Sequence, residues 1–109
     1  MIHELRHYDA VPSKKDALME RFFNGTFALF AQHGFRLIQF WDQPDSNELW
    51  YILAWPNRED MARGWNNFKN DDGWKALKAS SEADGPLIEN IRSVVLLPRS
   101  PSAPDDIGG

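Results

Sequence analysis

The chain has 109 residues, a length typical of one domain. Its hydrophobic fraction of 42% and charged fraction of 26% are those of a globular protein, and its aromatic content of 13% excludes a disordered chain. The absence of cysteine excludes disulfide scaffolds, thiol nucleophiles and thiolate metal centres, and the net charge of −4 argues against nucleic acid as a partner.

The first half of the chain predicts a strand, a long helix and a hairpin. Apolar and polar residues alternate over residues 2–9, and a buried stripe at helical spacing runs from an N-cap at Ser13 to about Gln32. Asn24-Gly25 interrupts that helix, and Gly34 ends it. Two further strands, residues 35–42 and 49–55, are separated by a short polar turn and form an antiparallel hairpin.

The second half predicts a capped helix, a short helical turn and a final strand. Asn57 is the expected N-cap of the helix, and residues 70–73 interrupt it. Trp74 then begins a short helical turn, residues 80–86 form a loop, and residues 87–97 form the last strand. The element order β-α-β-β-α-β predicts an α+β, ferredoxin-like fold with a four-stranded antiparallel sheet.

The chain divides into one folded domain, residues 1–97, and a C-terminal tail, residues 98–109. The tail is rich in proline and glycine and predicts a flexible or extended segment; an arm that contacts a partner subunit is the alternative. The sequence has no apolar run long enough to span a membrane and no signal-peptide pattern. We therefore expect a cytoplasmic protein that does not bind membranes.

Both faces of the predicted sheet carry apolar residues. The helices can cover only one face, and monomers rarely expose a large apolar patch. A homodimer that packs two sheets face to face into a shared barrel solves this problem. The alternative is a monomer in which the tail or the segment around Trp74 covers the second face.

Three motifs resemble the NIPSNAP family when they are taken together. They are the opening Ile2-x-Glu4-Leu5-Arg6-x-Tyr8, the sequence His33-Gly34-Phe35, and the pair Trp65 and Trp74 around Asp71-Asp72. The resemblance covers roughly residues 1–98 and implies the fold of the dimeric α+β barrel superfamily, hence the same homodimer. It carries over no catalytic residue. Wider relatives in that superfamily include cofactor-independent monooxygenases and isomerases. An activity inferred for this chain from the fold alone is therefore an argument by analogy.

Glu4, Arg6 and Tyr8 are the candidate catalytic residues, because alternate residues of a strand project to one face. Arg6 and Tyr8 are also candidates for binding a small hydrophobic ligand. Strand parity adds four candidates on the hairpin: Gln39, Trp41, Tyr51 and Trp55. The structural alternative is a buried Glu4–Arg6 pair that only fixes packing.

A metal site and a cofactor are not expected. His3 and His7 lie about 13 Å apart on one strand, too far to share a metal ion, and are expected under the helices. His33 is explained by its place at a helix C-terminus, and the second helix has no histidine that could bind haem. Trp65, Phe68 and Trp74 have helical spacing typical of a core, although they could stack on a flat ligand.

Two functional hypotheses remain open. In the first, the protein is a binding or structural dimer without catalysis, whose barrel is filled by side chains and whose partner is a protein or a transient ligand. In the second, it is an enzyme for a small aromatic or hydrophobic metabolite, in which Glu4 exchanges a proton, Arg6 holds an anionic group and Tyr8 donates a hydrogen bond.

Overall fold

A computed structural model describes residues 1–99 of the chain. Four strands are present: β1 (Ile2–Ala10), β2 (Arg36–Asp42), β3 (Glu48–Trp55) and β4 (Ile88–Leu96). The helical segments are α1 (Lys15–Arg21), a π-helical segment (Phe22–Thr26), α2 (Phe27–Gln32), α3 (Arg58–Lys69) and α4 (Asp72–Ser81). The predicted tail, residues 98–109, lies outside the described residues except for its first two members.

The strands form one antiparallel sheet in the order β2-β3-β1-β4. This order confirms the predicted ferredoxin-like α+β fold, in which each helical connection returns to a strand on the far side of a neighbour. None of the helices in the described part of the chain is both long and apolar enough to cross a membrane.

The core lies between one face of the sheet and the helices, and we call that face the helix-facing surface. Leu49, Tyr51 and Leu53 of β3 point to it and are fully buried. Leu18 of α1 and Phe68 of α3 pack against it from the other layer. The alternation of β3 thus places every second residue in the core.

The helix boundaries differ from the prediction at two places. Ser13 is not the N-cap: it adopts a left-handed backbone conformation with φ of 71°, and α1 begins two residues later without a side-chain cap. The expected short turn after residue 73 is a ten-residue helix, α4, whose N-cap is Asp71. The Asp71 carboxylate accepts a hydrogen bond from the backbone N–H of Trp74 at 2.9 Å, a cap that the sequence analysis missed. The predicted cap at Asn57 is confirmed.

An irregularity in β2 reverses the strand parity used in the sequence analysis. Leu37 is opposite Leu53, but the next paired residue, Gln39, is opposite Ile52. Residues that follow this bulge therefore point to the face opposite to the one that simple alternation from Leu37 implies. Phe40 faces the helices opposite Tyr51, whereas Gln39 and Trp41 lie on the other face and are exposed.

The second face of the sheet, which we call the open face, is not covered by any helix of the described chain. Its exposed apolar residues include Trp41 (44% exposed), Val94 (41%) and Leu96 (41%). Register also places His3 and His7 on this face, opposite Leu96 and Arg92, so the expectation that they lie under the helices is wrong. The open face exposes large apolar side chains, as the sequence predicts.

Candidate functional site

A cavity of about 760 Å³ opens between the helix-facing surface and the helices. Its apolar lining is largely aromatic and comes from every helical segment except α1: Phe22, Phe30, Trp65, Phe68 and Trp74. Arg6 and Tyr8 of β1 and Thr26 of the π-helical segment are polar members of the wall. The size and the few polar groups in an apolar lining are typical of small-molecule sites.

Glu4 holds the sheet and α3 together at the edge of this cavity. One carboxylate oxygen accepts the indole N–H groups of Trp55 (3.0 Å) and Trp65 (2.8 Å). The other accepts Arg6 Nη1 (2.9 Å) and the hydroxyl of Ser93 (2.5 Å). Burial alone would raise the pKa of Glu4, but the hydrogen bonds from Ser93 and Trp65 and the charge of Arg6 hold the pKa below its usual value.

Arg6 spans the distance from Glu4 to the cavity wall. Its Nε and Nη2 donate to the Tyr8 hydroxyl oxygen at 3.3 and 3.1 Å, and the guanidinium carbon lies 4.1 Å from the centroid of the Trp65 ring. Burial alone would lower the pKa of Arg6, but the neighbouring oxygens of Tyr8, Tyr51 and Glu4 stabilise the charged guanidinium and keep its pKa above the ordinary value. Three of the five guanidinium N–H groups have acceptors within the described chain, and the other two have none there.

Tyr8 and Tyr51 share a single hydrogen bond, with 2.7 Å between their hydroxyl oxygens. Burial, together with the neighbouring Tyr8, raises the pKa of Tyr51 well above its ordinary value, so Tyr51 keeps its proton. When Tyr51 donates to Tyr8, the Tyr8 proton has no acceptor among the described residues. Tyr8 lines the cavity and Tyr51 does not, so a bound molecule can take the Tyr8 hydrogen bond.

The π-helical segment supplies one wall of the cavity. Phe22 and Thr26 of this segment both line the cavity, as does Phe30 of α2 one turn further on. The wider turn returns to α-helix at Phe27, whose N–H donates to the carbonyl of Phe22. π-Helical segments are rare in proteins overall, and those that occur often lie at functional sites.

Cationic side chains outnumber anionic ones around the cavity, although the chain as a whole is acidic. Five cationic and two anionic residues line it. Arg6 pairs with Glu4 at 2.9 Å and Arg21 with Glu82 at 3.0 Å, and the Arg21 guanidinium lies 5.2 Å from the centroid of Trp74. The remaining cations, Lys69, Lys75 and Lys78, form no ion pair within residues 1–99. The cavity is therefore electrostatically suited to an anion.

The structure brings together only part of the predicted site. The candidate catalytic residues Glu4, Arg6 and Tyr8 do share one face and one hydrogen-bond network, but only Arg6 and Tyr8 line the cavity. Tyr51 and Trp55 are buried beneath it and support it, whereas Gln39 and Trp41 lie on the open face and cannot reach it.

Most of the lining residues that the sequence did not indicate come from the helices, and the others come from β4 and the segment before it. Thr26 belongs to no sequence motif that indicates a ligand site. The helical spacing of Trp65, Phe68 and Trp74 favoured a place in the core over a place in a ligand site. The cationic residues of α3 and α4 had helical spacing that is typical of any solvated face. The available signal was the coincidence of these aromatic and cationic residues on two consecutive helices.

A second cluster of side chains lies on the open face, away from the cavity. His7 Nε2 is 2.7 Å from Glu48 and 3.8 Å from Asp9, and the three ligand atoms lie within 4.8 Å of one another. Among the described residues these three could together hold a metal ion. The spacing of His3 and His7 in the sequence gave no sign of this cluster, because Asp9 and Glu48 are opposite each other across β1 and β3.

Comparison with known structures supports the fold over nearly the whole chain. An uncharacterized NIPSNAP-like domain protein from Burkholderia xenovorans is 25% identical, with a TM-score of 0.78 over 94% of this chain and 89% of that chain. A NIPSNAP family protein of unknown function from Agrobacterium tumefaciens is 20% identical, with a TM-score of 0.79 over 95% and 92%. An antibiotic biosynthesis monooxygenase is 11% identical, with a TM-score of 0.62 over 92% and 100%, a likeness of fold alone.

Comparison with curated proteins gives no significant match. The NIPSNAP family model, in contrast, matches residues 3–103 and so includes both the sheet and the helices that line the cavity. The resemblance read from the sequence motifs is thereby confirmed, and the chain belongs to the NIPSNAP family.

Proposed function

We propose that this protein binds a small organic anion with a flat apolar body in the cavity above Arg6. The observation that carries the proposal is a guanidinium with two unused N–H groups in the wall of an aromatic cavity. A carboxylate or similar group would accept those N–H groups, and the Tyr8 hydroxyl would add a third donor. The aromatic side chains would cover the apolar body of the ligand.

The electrostatic balance supports an anionic ligand. Glu4 already neutralises Arg6, so an additional anion needs further positive charge nearby. Lys69, Lys75 and Lys78 provide that charge at the cavity. These groups attract anions from a distance and are weakened by salt, whereas the buried Arg6 fixes the orientation of the bound group.

Acid–base catalysis by Glu4 is the weaker hypothesis. Each oxygen of the Glu4 carboxylate accepts two hydrogen bonds, and the residue does not line the cavity. A general base needs an unprotonated atom within hydrogen-bond reach of the substrate. We therefore assign Glu4 as a positioning residue for Arg6 and Trp65, and we favour binding over catalysis.

Calorimetric titration with 2-naphthoate and its neutral analogue 2-naphthamide tests this function. Wild-type protein should bind the carboxylate at least tenfold more tightly than the amide, because only the carboxylate makes charge-assisted bonds to Arg6. The double variant Glu4→Gln/Arg6→Gln removes both charges together and should lose that preference. Arg36→Gln on β2, an exposed arginine outside the cavity, is the matched control and should retain it.

The proposal fails if wild-type protein binds neither compound, or if it binds both equally. Thermal unfolding of each variant shows whether it is folded under the titration conditions. If the double variant does not fold, Tyr8→Phe provides the second measurement. It removes the third donor and leaves Arg6 charged, so it should weaken naphthoate binding severalfold and change naphthamide binding less.

We further infer that the protein is a homodimer in which the open face of one copy packs on the open face of another. Support comes from the exposed apolar residues of that face, among them Trp41, Val94 and Leu96. A two-fold axis through the face would give each copy the same buried patch. The cavity opens on the opposite side of the sheet, so this interface would leave it accessible.

A further inference from the structure

The cavity lining contains a group of cations that the protein itself does not neutralise, which we call the lysine cluster: Lys69 of α3 and Lys75 and Lys78 of α4. Both arginines of the lining are paired, Arg6 with Glu4 and Arg21 with Glu82. The one lining carboxylate without an ion pair among residues 1–99 is Glu89 of β4. Three cations against one carboxylate leave an excess of positive charge at this part of the wall.

The lysine cluster continues the aromatic wall toward the ends of the two helices. Lys69 follows Trp65 by four residues on α3, and Lys78 follows Trp74 by four residues on α4. Residues with this spacing are neighbours on one helix face, about 5.4 Å apart along the axis. The Trp65 ring lies 4.1 Å from the guanidinium carbon of Arg6. Lys69 therefore lies one helical turn beyond the ring that stacks on Arg6.

Arg6 and the lysine cluster differ in their exposure to solvent. The side chain of Arg6 is only 14% exposed, whereas all three lysines are exposed. A lysine in such a place lays its aliphatic stem along apolar surface and keeps its ammonium group in water. The cavity thus has one cation inside and a separate set of cations at its opening, with aromatic rings between them.

The volume of the cavity also exceeds the needs of a small monoanion. About 760 Å³ lies in the upper half of the range of sites that enclose drug-sized molecules. A ligand that extended only from Arg6 over the nearest ring would leave much of this space empty. The space continues to the lysine cluster, whose three residues belong to the same lining.

We propose that the natural ligand is a dianion with an anionic group at each end of a flat apolar body. This inference rests on the proposed function, in which the inner anionic group binds at Arg6. The outer group, a second anionic oxygen group such as a carboxylate, binds the lysine cluster. The lysines then act as direct ligand contacts that determine specificity, and not only as a field that attracts anions.

Calorimetry with three matched naphthalene compounds tests the direct contact. Naphthalene-2,6-dicarboxylate has its two charges at opposite ends, its monomethyl ester has one charge fewer, and naphthalene-2,3-dicarboxylate has both charges at the same end. Wild-type protein should bind the 2,6-dicarboxylate about tenfold more tightly than either of the others, because only this compound reaches Arg6 and the lysine cluster together. Attraction by a general positive field would favour both dicarboxylates equally.

Charge-neutralising variants then locate the outer site. The triple variant Lys69→Gln/Lys75→Gln/Lys78→Gln should lose the preference for the 2,6-dicarboxylate over both other compounds. The triple variant Lys14→Gln/Arg36→Gln/Arg58→Gln removes the same number of charges outside the cavity lining and should retain the preference. Thermal unfolding of both variants shows that they are folded under the titration conditions.

The binding results separate this inference from the proposed function. If 2-naphthoate binds and needs Arg6, but the 2,6-dicarboxylate binds no more tightly than its ester or its isomer, only the outer site is wrong. A preference that survives in the lysine variant would place the outer group elsewhere and would also overturn the inference. If neither 2-naphthoate nor the 2,6-dicarboxylate binds, both proposals fall together.

Discussion

Glu4 connects three strands and a helix through one carboxylate, since its donors come from β1, β3, β4 and α3. Glu4→Gln keeps the shape of the side chain but replaces one of its two acceptor oxygens with an amide NH2 group. That group donates hydrogen bonds and would face the donors that bind the oxygen in the wild type. It also leaves the Arg6 charge buried without its partner. We expect a loss of about 3–5 kcal/mol in the free energy of unfolding at pH 7, measured in urea. Glu89→Gln, an exposed glutamate of β4, is the control and should change stability by less than about 0.5 kcal/mol.

The pH dependence of that difference tests the ionisation of Glu4. The pKa of Glu4 is lowered in the folded protein relative to 4.5, so its contribution is complete above the unfolded pKa and is lost as the pH falls through the folded pKa. The gap between wild type and Glu4→Gln should therefore stay constant from pH 7 to about 5 and narrow below about 4.5. A gap that instead widens as the pH falls from neutral towards about 4.5 would mean a raised pKa, as an acid–base catalyst requires, and would restore the enzyme hypothesis.

The sequence predicted part of this network and could not predict the rest. Alternation along β1 places Glu4, Arg6 and Tyr8 on one face, and the apolar neighbours imply that the charges are paired. The other partners, Trp65 and Ser93, are 61 and 89 residues away from Glu4. Their contact depends on how α3 and β4 pack, which no local pattern contains.

Two helical glycines differ in what an added side chain would meet. A Cβ at Gly64 of α3 would lie 2.6 Å from the ring of Trp55, which Glu4 holds in place. A Cβ at Gly25 of the π-helical segment would lie 2.6 Å from a terminal methyl group of Leu77, which can rotate away. Gly64→Ala should lose about 1–2 kcal/mol in urea unfolding, because overpacking exceeds the gain in helix propensity. Gly25→Ala is the matched comparison.

We expect Gly25→Ala to lose less than Gly64→Ala. Equal losses would show that backbone conformation, and not the rigidity of the Trp55 ring, decides the cost at both positions.

Elements were predicted well where a periodic pattern continues without interruption, as in β1, β3 and α3. The bulge in β2 has no such signal: the sequence alternates through Leu37 and Gln39 as if the strand were regular, and the shift appears only in the pairing with β3. That single irregularity moved Gln39 and Trp41 to the wrong face in the prediction. Similarly, Asn24-Gly25 indicated an interruption of the first helix, but not that the chain would form a π-helical segment there.

At the scale of the whole molecule, element order was enough to predict the topology. The right-handed crossover rule leaves few ways to arrange these four strands and their helices. The cavity was not predictable in the same way, because its volume is the space left between α3, α4 and the π-helical segment above β1. A space of this kind depends on helix positions to within a few ångströms, which sequence periodicity does not fix.

The open face leads to the last prediction, that the protein is a dimer and that charge on this face separates the copies. Wild-type protein should have twice the chain mass of 12.6 kDa by light scattering after gel filtration. Val94→Lys places a cation on the edge strand β4, beside Leu5 of the open face, where the sheet of the second copy would bury it without a partner, so it should yield a monomer. Ala79→Lys, on the exposed side of α4, adds the same charge elsewhere and should stay dimeric. A monomeric wild type, or a Val94→Lys dimer, would mean that the open face is not the interface. The apolar side chains of β4 would then need another explanation.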